Sequence, residues 1–138
     1  MYNIKNLTIA QTADMPVRDA AGVPQADGDT PLTITLYSPG SKQYQRAKHA
    51  AEGRNNNRIF ARMQGSSDDK QSAEEKTAEQ AEFLAACTAS FNGFGIEDLA
   101  GHELFKAVYS DIEIGHIADD ASKFLASRAN FLKPQPKA

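Results

Sequence analysis

The chain has 138 residues, 24% of them charged, with a net charge of −3, three histidines and a single cysteine. That length suits one domain with one modest core, and the acidic balance gives no bulk attraction to nucleic acid or to anionic lipid. A lone Cys87 excludes a disulfide framework within the chain and fits a reducing compartment. No apolar run approaches the roughly 18 residues that a membrane span needs, and Met1–Lys5 does not begin a signal peptide, so a soluble cytoplasmic protein is expected.

In chain order, Asn3–Ile9 alternates weakly and is read as a first strand. Asp19–Pro31 is rich in Ala, Gly, Asp and Pro and reads as a turn or loop. Leu32-Thr33-Ile34-Thr35-Leu36-Tyr37 is the clearest strand, with Leu32, Ile34 and Leu36 on one face. The two strands form an expected hairpin, unstable alone, whose open edge would add to a neighbouring subunit. Ser38-Pro39-Gly40-Ser41 breaks the strand, and Ser41 is the expected N-cap of a helix running to about Gln64. Its apolar positions are Tyr44, Ala47, Ala51, Ile59, Phe60 and Met63; Gly53 and Asn55–Asn57 predict a kink or break in its middle.

Gly65–Asp69 is read as a linker. The central element is then a helix over Ala73–Phe91, opened by a Ser72/Glu75 capping box and carrying Ala73, Thr77, Ala81, Leu84, Thr88 and Phe91 at helical spacing. From Ala81 onward its polar face disappears, so its second half is expected at the centre of the core. Asn92-Gly93 would end it. A shorter helix over Ile96–Tyr109 carries Leu99, Leu104, Phe105 and Val108, and Gly101 within it leaves its start open to either side of that residue. A last one from Asp111 turns Ile114, Ile117, Ala121, Phe124, Leu125 and Phe131 or Leu132 to one side. The expected fold is mainly α: a single domain over 1–138, with a β-hairpin arm (1–40), a core of about four helices (41–132) and a Pro-containing tail (133–138).

Chemistry-bearing patterns are missing. His49, His102 and His116 stand apart, and although Asp98/His102 and His116/Asp120 are each four positions apart, a zinc site needs three or four converging ligands. Gly93-Phe94-Gly95 is too short to cradle a phosphate, and no nucleophile elbow or Cys/His pairing is visible. No catalytic residue, metal or cofactor is expected, and the protein is not expected to be an enzyme.

Charge is patterned instead. Lys42, Arg46, Arg54, Arg58 and Arg62 recur at multiples of four along the first helix, a spacing that drifts around a 3.6-residue helix as a spiral. The segment after it is acidic, with Asp68, Asp69, Glu74, Glu75, Glu79 and Glu82. Three readings stand open: two solvated faces paired loosely across a helical hairpin, a complementary contact with another subunit or a partner, or phosphate binding by the arginines, which no aromatic platform accompanies.

The order of these pieces is similar to a known family. An alternating strand leads through Ser41-Lys42-Gln43-Tyr44-Gln45-Arg46 into a helix. Phe83-Leu84-Ala85-Ala86-Cys87-Thr88 precedes an aromatic-Asn-Gly turn, and Val108–Ile117 and Asn130-Phe131-Leu132 follow. Across residues 32–132 this resembles the tail assembly chaperones of long-tailed bacteriophages and prophages. It departs from them in having no Trp after the central helix, where Phe91 and Phe94 would fill the space. The resemblance implies a non-enzymatic, mainly helical, self-associating protein of the infected host's cytoplasm. Such a protein coats and solubilises the tape measure protein, helps to recruit tail tube subunits, and is absent from the finished virion. It also implies a longer frameshifted form, which a Pro-containing tail after Leu132 would suit. The alternatives are a small nucleic-acid-binding or regulatory protein using the arginine stripe, and a structural virion component. Arg54, Arg58, Arg62, Phe94 and Tyr109 are the candidate partner-binding residues.

Overall fold

A three-stranded antiparallel sheet, in the order β1-β4-β5, organises the chain. The computed structural model describes residues 1–65 and 73–133, apart from the Arg62 side chain. Strand β1 is Thr12–Pro16 and β4 is Thr33–Tyr37; between them a two-residue-per-strand ribbon, β2 (Ala26–Asp27) with β3 (Thr30–Pro31), turns at Gly28. Helix α1 is Lys42–Met63, α2 is Ala73–Ala86, β5 is Thr88–Asn92, α3 is Gly101–Ser110 and α4 is Gly115–Ala126. Short 3-10 turns occupy Ile4–Leu7, Ile112–Ile114 and Arg128–Phe131.

The fold is therefore mixed α/β, and the expectation of a mainly α domain with a lone hairpin is corrected. The decisive element is β5. Cys87–Phe91 continues the helical spacing of α2, yet the helix stops at Ala86 and Thr88, Ser90, Phe91 and Asn92 pair with β4 (Ile34 opposite Phe91, Thr35 opposite Ser90). The stop needs no glycine, because Thr88 folds its hydroxyl back onto the Leu84 carbonyl at 2.8 Å and so satisfies one of the last helical acceptors. Tyr37 N–H then donates to the Cys87 carbonyl at 2.7 Å, locking the chain reversal against β4. A register shift makes Ala89 the extra residue of a bulge, a device that discourages further strand addition at an edge.

This placement also corrects the open-edge hairpin. Strand β4 is the middle strand, paired on both sides, so Leu32–Tyr37 offers no edge to a neighbour. The partner strand β1 lies at Thr12–Pro16; the segment expected as a strand holds the first 3-10 turn, where Asn3 caps Lys5 N at 3.0 Å.

Period-two alternation divides the sheet into two faces. Met15, Ile34 and Leu36 point into the core with Phe91 beside them. On the opposite face a directed chain of hydrogen bonds crosses all three strands. Ser90 Oγ donates to Asn92 Oδ1, Asn92 Nδ2 donates to the hydroxyls of Thr33 and Thr35 (both 2.9 Å), and Thr35 donates to Asp14 at 2.6 Å.

The helices cover the apolar face. Ala81, Leu84 and Ala85 of α2, Leu104, Val108 and Tyr109 of α3, and Ile117, Ala118, Ala121 and Leu125 of α4 form one buried cluster with it, closed by Phe131. The second half of α2 is central as expected, although Ala86 is exposed. Helix α3 starts only at Gly101, where φ is +59°; Ile96 and Leu99 lie in the preceding turn and are exposed. Helix α4 ends at Ala126, Asn130 Nδ2 returns to the Phe124 carbonyl at 3.0 Å, and of the last two apolar residues Phe131 is buried while Leu132 is exposed. The Ser72 cap, Asp68, Asp69 and the prolines of the tail lie outside the described residues.

A candidate partner-binding surface on helix α1

Helix α1 begins where the sequence places it. Ser41 Oγ accepts the Tyr44 N–H at 3.1 Å and donates to the Ser38 carbonyl at 2.7 Å. The helix then runs unbroken through Gly53 and Asn55–Asn57 for 22 residues, about 33 Å at 1.5 Å per residue. Its contacts with α2 run in opposite senses along the two helices: Tyr44 meets Phe83 edge to face at 5.8 Å, and Arg58 pairs with Glu79. The stretch from Tyr44 to Arg58 spans far more of α1 than Phe83 to Glu79 spans of α2. The distal half of α1 is thus held by long side chains reaching back, with no buried apolar residue of its own among those described.

Helical spacing decides which way each distal side chain faces. Tyr44, Ala47, Ala51, Arg54 and Arg58 lie on one stripe, the stripe that meets α2. Lys42 and Arg46, earlier on the spiral, are exposed; by Arg54 the same four-residue step has rotated the charges to the inner side, where Arg54 and Arg58 are half-buried. The Arg54 Nε has no hydrogen-bond partner among the described residues. The basic run is therefore divided: Lys42 and Arg46 are solvated, while Arg58 is engaged with Glu79 across the hairpin.

The outward stripe carries Asn56, Phe60 and Met63, with Ile59 at its edge, all exposed; Asn55 lies nearer the inner stripe, where its Oδ1 accepts from Arg58 Nη2 at 3.1 Å. Ile59, Phe60 and Met63, apolar positions of the helix by sequence, find no neighbour among the described residues that buries them: they are 46%, 63% and 80% exposed. Distal α1 has Arg54 and Arg58 toward its own protein and its large apolar side chains toward solvent. Scattered surface hydrophobes need no explanation, but three on adjoining turns of one helix face form a contiguous patch of the kind that marks an interaction site. Periodicity identified these residues as apolar; it carried no sign of which stripe would find a neighbour.

The remaining candidate residues sit elsewhere. Phe94 stacks on Phe91 with centroids 4.6 Å apart, and Phe91 also meets Phe105 at 4.6 Å and Tyr109 at 6.0 Å. Phe94 is half-buried and closes this aromatic cluster. Tyr109 is 2% exposed, so its side chain is a core residue and is removed from the surface set. Its hydroxyl lies 2.7 Å from Thr88 Oγ1. Since Thr88 already donates to Leu84, Tyr109 is the donor of that bond. Burial pushes the Tyr109 phenol well above its ordinary range and the Cys87 thiol up to about 12, so neither is ionised near neutrality. The side chain of Arg62 lies outside the described residues.

The histidines do not gather. His102 Nε2 lies 3.2 Å from Glu82 Oε1 while Lys106 Nζ lies 3.1 Å from Glu82 Oε2, so one carboxylate of α2 receives two side chains of α3. Partial burial acts to raise the Glu82 pKa, but the hydrogen bond from Lys106 and the charges of His102 and Lys106 outweigh it and hold the carboxyl below its usual range. His116 Nε2 is 2.9 Å from the Arg18 carbonyl oxygen. Among the described residues no three His, Cys, Asp or Glu side chains converge as a metal site would require. No helix among them is long and apolar enough to cross a membrane. Comparison of the chain with protein-family models, with curated proteins and with solved structures finds no match.

Proposed function

We propose that this protein is a non-catalytic assembly chaperone that holds a long, helical, apolar client against the outer face of distal α1. The observation that carries the reading is the exposure of Ile59, Phe60 and Met63 on one helix face that extends past the core. An amphipathic helical client would lay its own stripe of apolar residues along such a ridge and remove both from water. The resemblance to tail assembly chaperones supplies the client and the setting: the tape measure protein, held in solution in the host cytoplasm, with tail tube subunits recruited to it by a self-associating chaperone. A nucleic-acid reading draws no support from the arginine run, because Arg58 is paired with Glu79 and Arg54 is half-buried.

The test is co-expression with a tape measure protein of the kind the resemblance implies. Client that stays soluble and co-purifies with the wild-type chain, but not with a Phe60→Ser/Met63→Ser variant of unchanged helical circular dichroism, is the expected result. Client equally soluble without the protein, or bound equally by the variant, refutes the reading. Both substituted side chains are exposed, so the variant's own stability should stay within about 0.5 kcal/mol of wild type.

A further inference from the structure

Two surface features flank helix α4 and complement each other. Between α3 and α4 the chain runs Asp111-Ile112-Glu113, with Ile112 opening the 3-10 turn. Asp111 Oδ1 accepts the Glu113 N–H at 2.9 Å, which fixes the turn. Ile112 is 84% exposed, more than any other large apolar side chain among the described residues except that of Met1. The turn is thus a rigid apolar knob between two carboxylates.

The second feature is a cleft of about 400 Å³ between the end of β1 and the C-terminal half of α4. Met15, Pro16 and Phe124 give it an apolar floor, and Arg18, Lys123 and Asp120 stand around it. The bond between His116 and the Arg18 carbonyl ties the exit of β1 to α4 and holds the cleft's shape. Neither Arg18 nor Lys123 forms an ion pair among the described residues. Two unpaired cations against one carboxylate leave the rim net positive, matched to the two carboxylates of the knob.

A chain cannot fill its own cleft with its own knob, since the knob precedes the first turn of α4 and Phe124 lies in its last, about 15 Å further along the axis. We propose that Ile112 of one copy docks into the Met15/Phe124 cleft of the next, with Asp111 and Glu113 meeting Arg18 and Lys123. The two surfaces differ, so the contact is heterologous and repeats head to tail into a ring or an open spiral. This names the surfaces behind the self-association proposed above; its experiment uses the chain alone, so it fails independently of the client-holding reading.

Sedimentation velocity of the full chain tests it with two variants, both altered only at exposed positions: Ile112→Lys, which spoils the knob, and Arg18→Glu/Lys123→Glu, which spoils the cleft. The wild-type chain should associate as its concentration rises, and each variant alone should need at least about tenfold more protein to do so, a 1.4 kcal/mol loss. Mixed in equal amounts, the variants retain one good knob and one good cleft, and should form a two-chain species and nothing larger. A wild-type chain that stays single up to about 1 mM, where a contact this weak would be negligible, overturns the proposal. So do variants that associate like the wild type, or a mixture that behaves as the sum of its parts.

Discussion

The hydrogen-bonded pair Tyr109–Thr88 sits where α2, β5 and α3 meet, and the structure predicts how it responds when taken apart. Tyr109→Phe removes one donor; Thr88 keeps its 2.8 Å bond to the Leu84 carbonyl, so the loss should be that of a single net hydrogen bond, about 0.5–1.5 kcal/mol. Thr88→Val keeps the volume and the strand preference but leaves the Tyr109 hydroxyl buried without its 2.7 Å acceptor, which should cost about 1–3 kcal/mol for the stranded donor. The Leu84 carbonyl is not stranded, because Cys87 N–H also reaches it at 3.1 Å. Adding Tyr109→Phe to Thr88→Val removes the stranded hydroxyl, so the double variant should be more stable than Thr88→Val alone. Urea unfolding at constant m-value measures all three. Additive losses, with the double variant the least stable of the set, would refute the assignment of Tyr109 as the donor into a dry site.

Three further outcomes follow from local geometry. Gly93 has φ +89° and a Cβ there would lie 3.1 Å from Leu32 Cδ2, so Gly93→Ala should destabilise by roughly 1–2 kcal/mol from the left-handed backbone alone, read as a lower urea midpoint. Glu82 has a lowered folded-state pKa, so its contribution is fully present above the ordinary carboxylate value of 4.5 and is lost as pH falls through the folded value. The stability gap between wild type and Glu82→Gln should accordingly shrink on acidification below that point; a gap that widens in acid contradicts the assignment. Cys87, 0% exposed with its thiol pushed up to about 12, should react with an aromatic disulfide reagent only as fast as the protein unfolds, and reaction with the native chain in seconds would place it elsewhere.

Local pattern alone determined several elements. Leu32–Tyr37 alternates strictly and is a strand; Ser41 caps α1 because a hydroxyl before a helix has an orphan N–H to accept; α1 ends within a residue or two of its expected limit despite Gly53 and three asparagines. The inward set of α4 was equally visible, since Ile117, Ala121 and Leu125 share one stripe and all three are buried. What these have in common is that neighbours in sequence suffice to specify them.

Only the tertiary structure decided the rest. Leu84, Thr88 and Phe91 stand at helical spacing and Thr88-Ala89-Ser90-Phe91 also suits a strand, and a run this short satisfies both periods. The choice falls to β4, whose second edge must be hydrogen-bonded once it is buried, and Thr88–Asn92 is the segment that α2 delivers there. That one pairing turns a helical bundle with an arm into a mixed α/β domain. The candidate surface was hidden for a similar reason. Tyr109 looks the same in sequence whether its hydroxyl meets water or Thr88, and Ile59, Phe60 and Met63 look the same whether a helix covers them or not. Periodicity assigns residues to stripes; which stripe is buried depends on where α2 crosses α1, and that crossing is a property of the packed core.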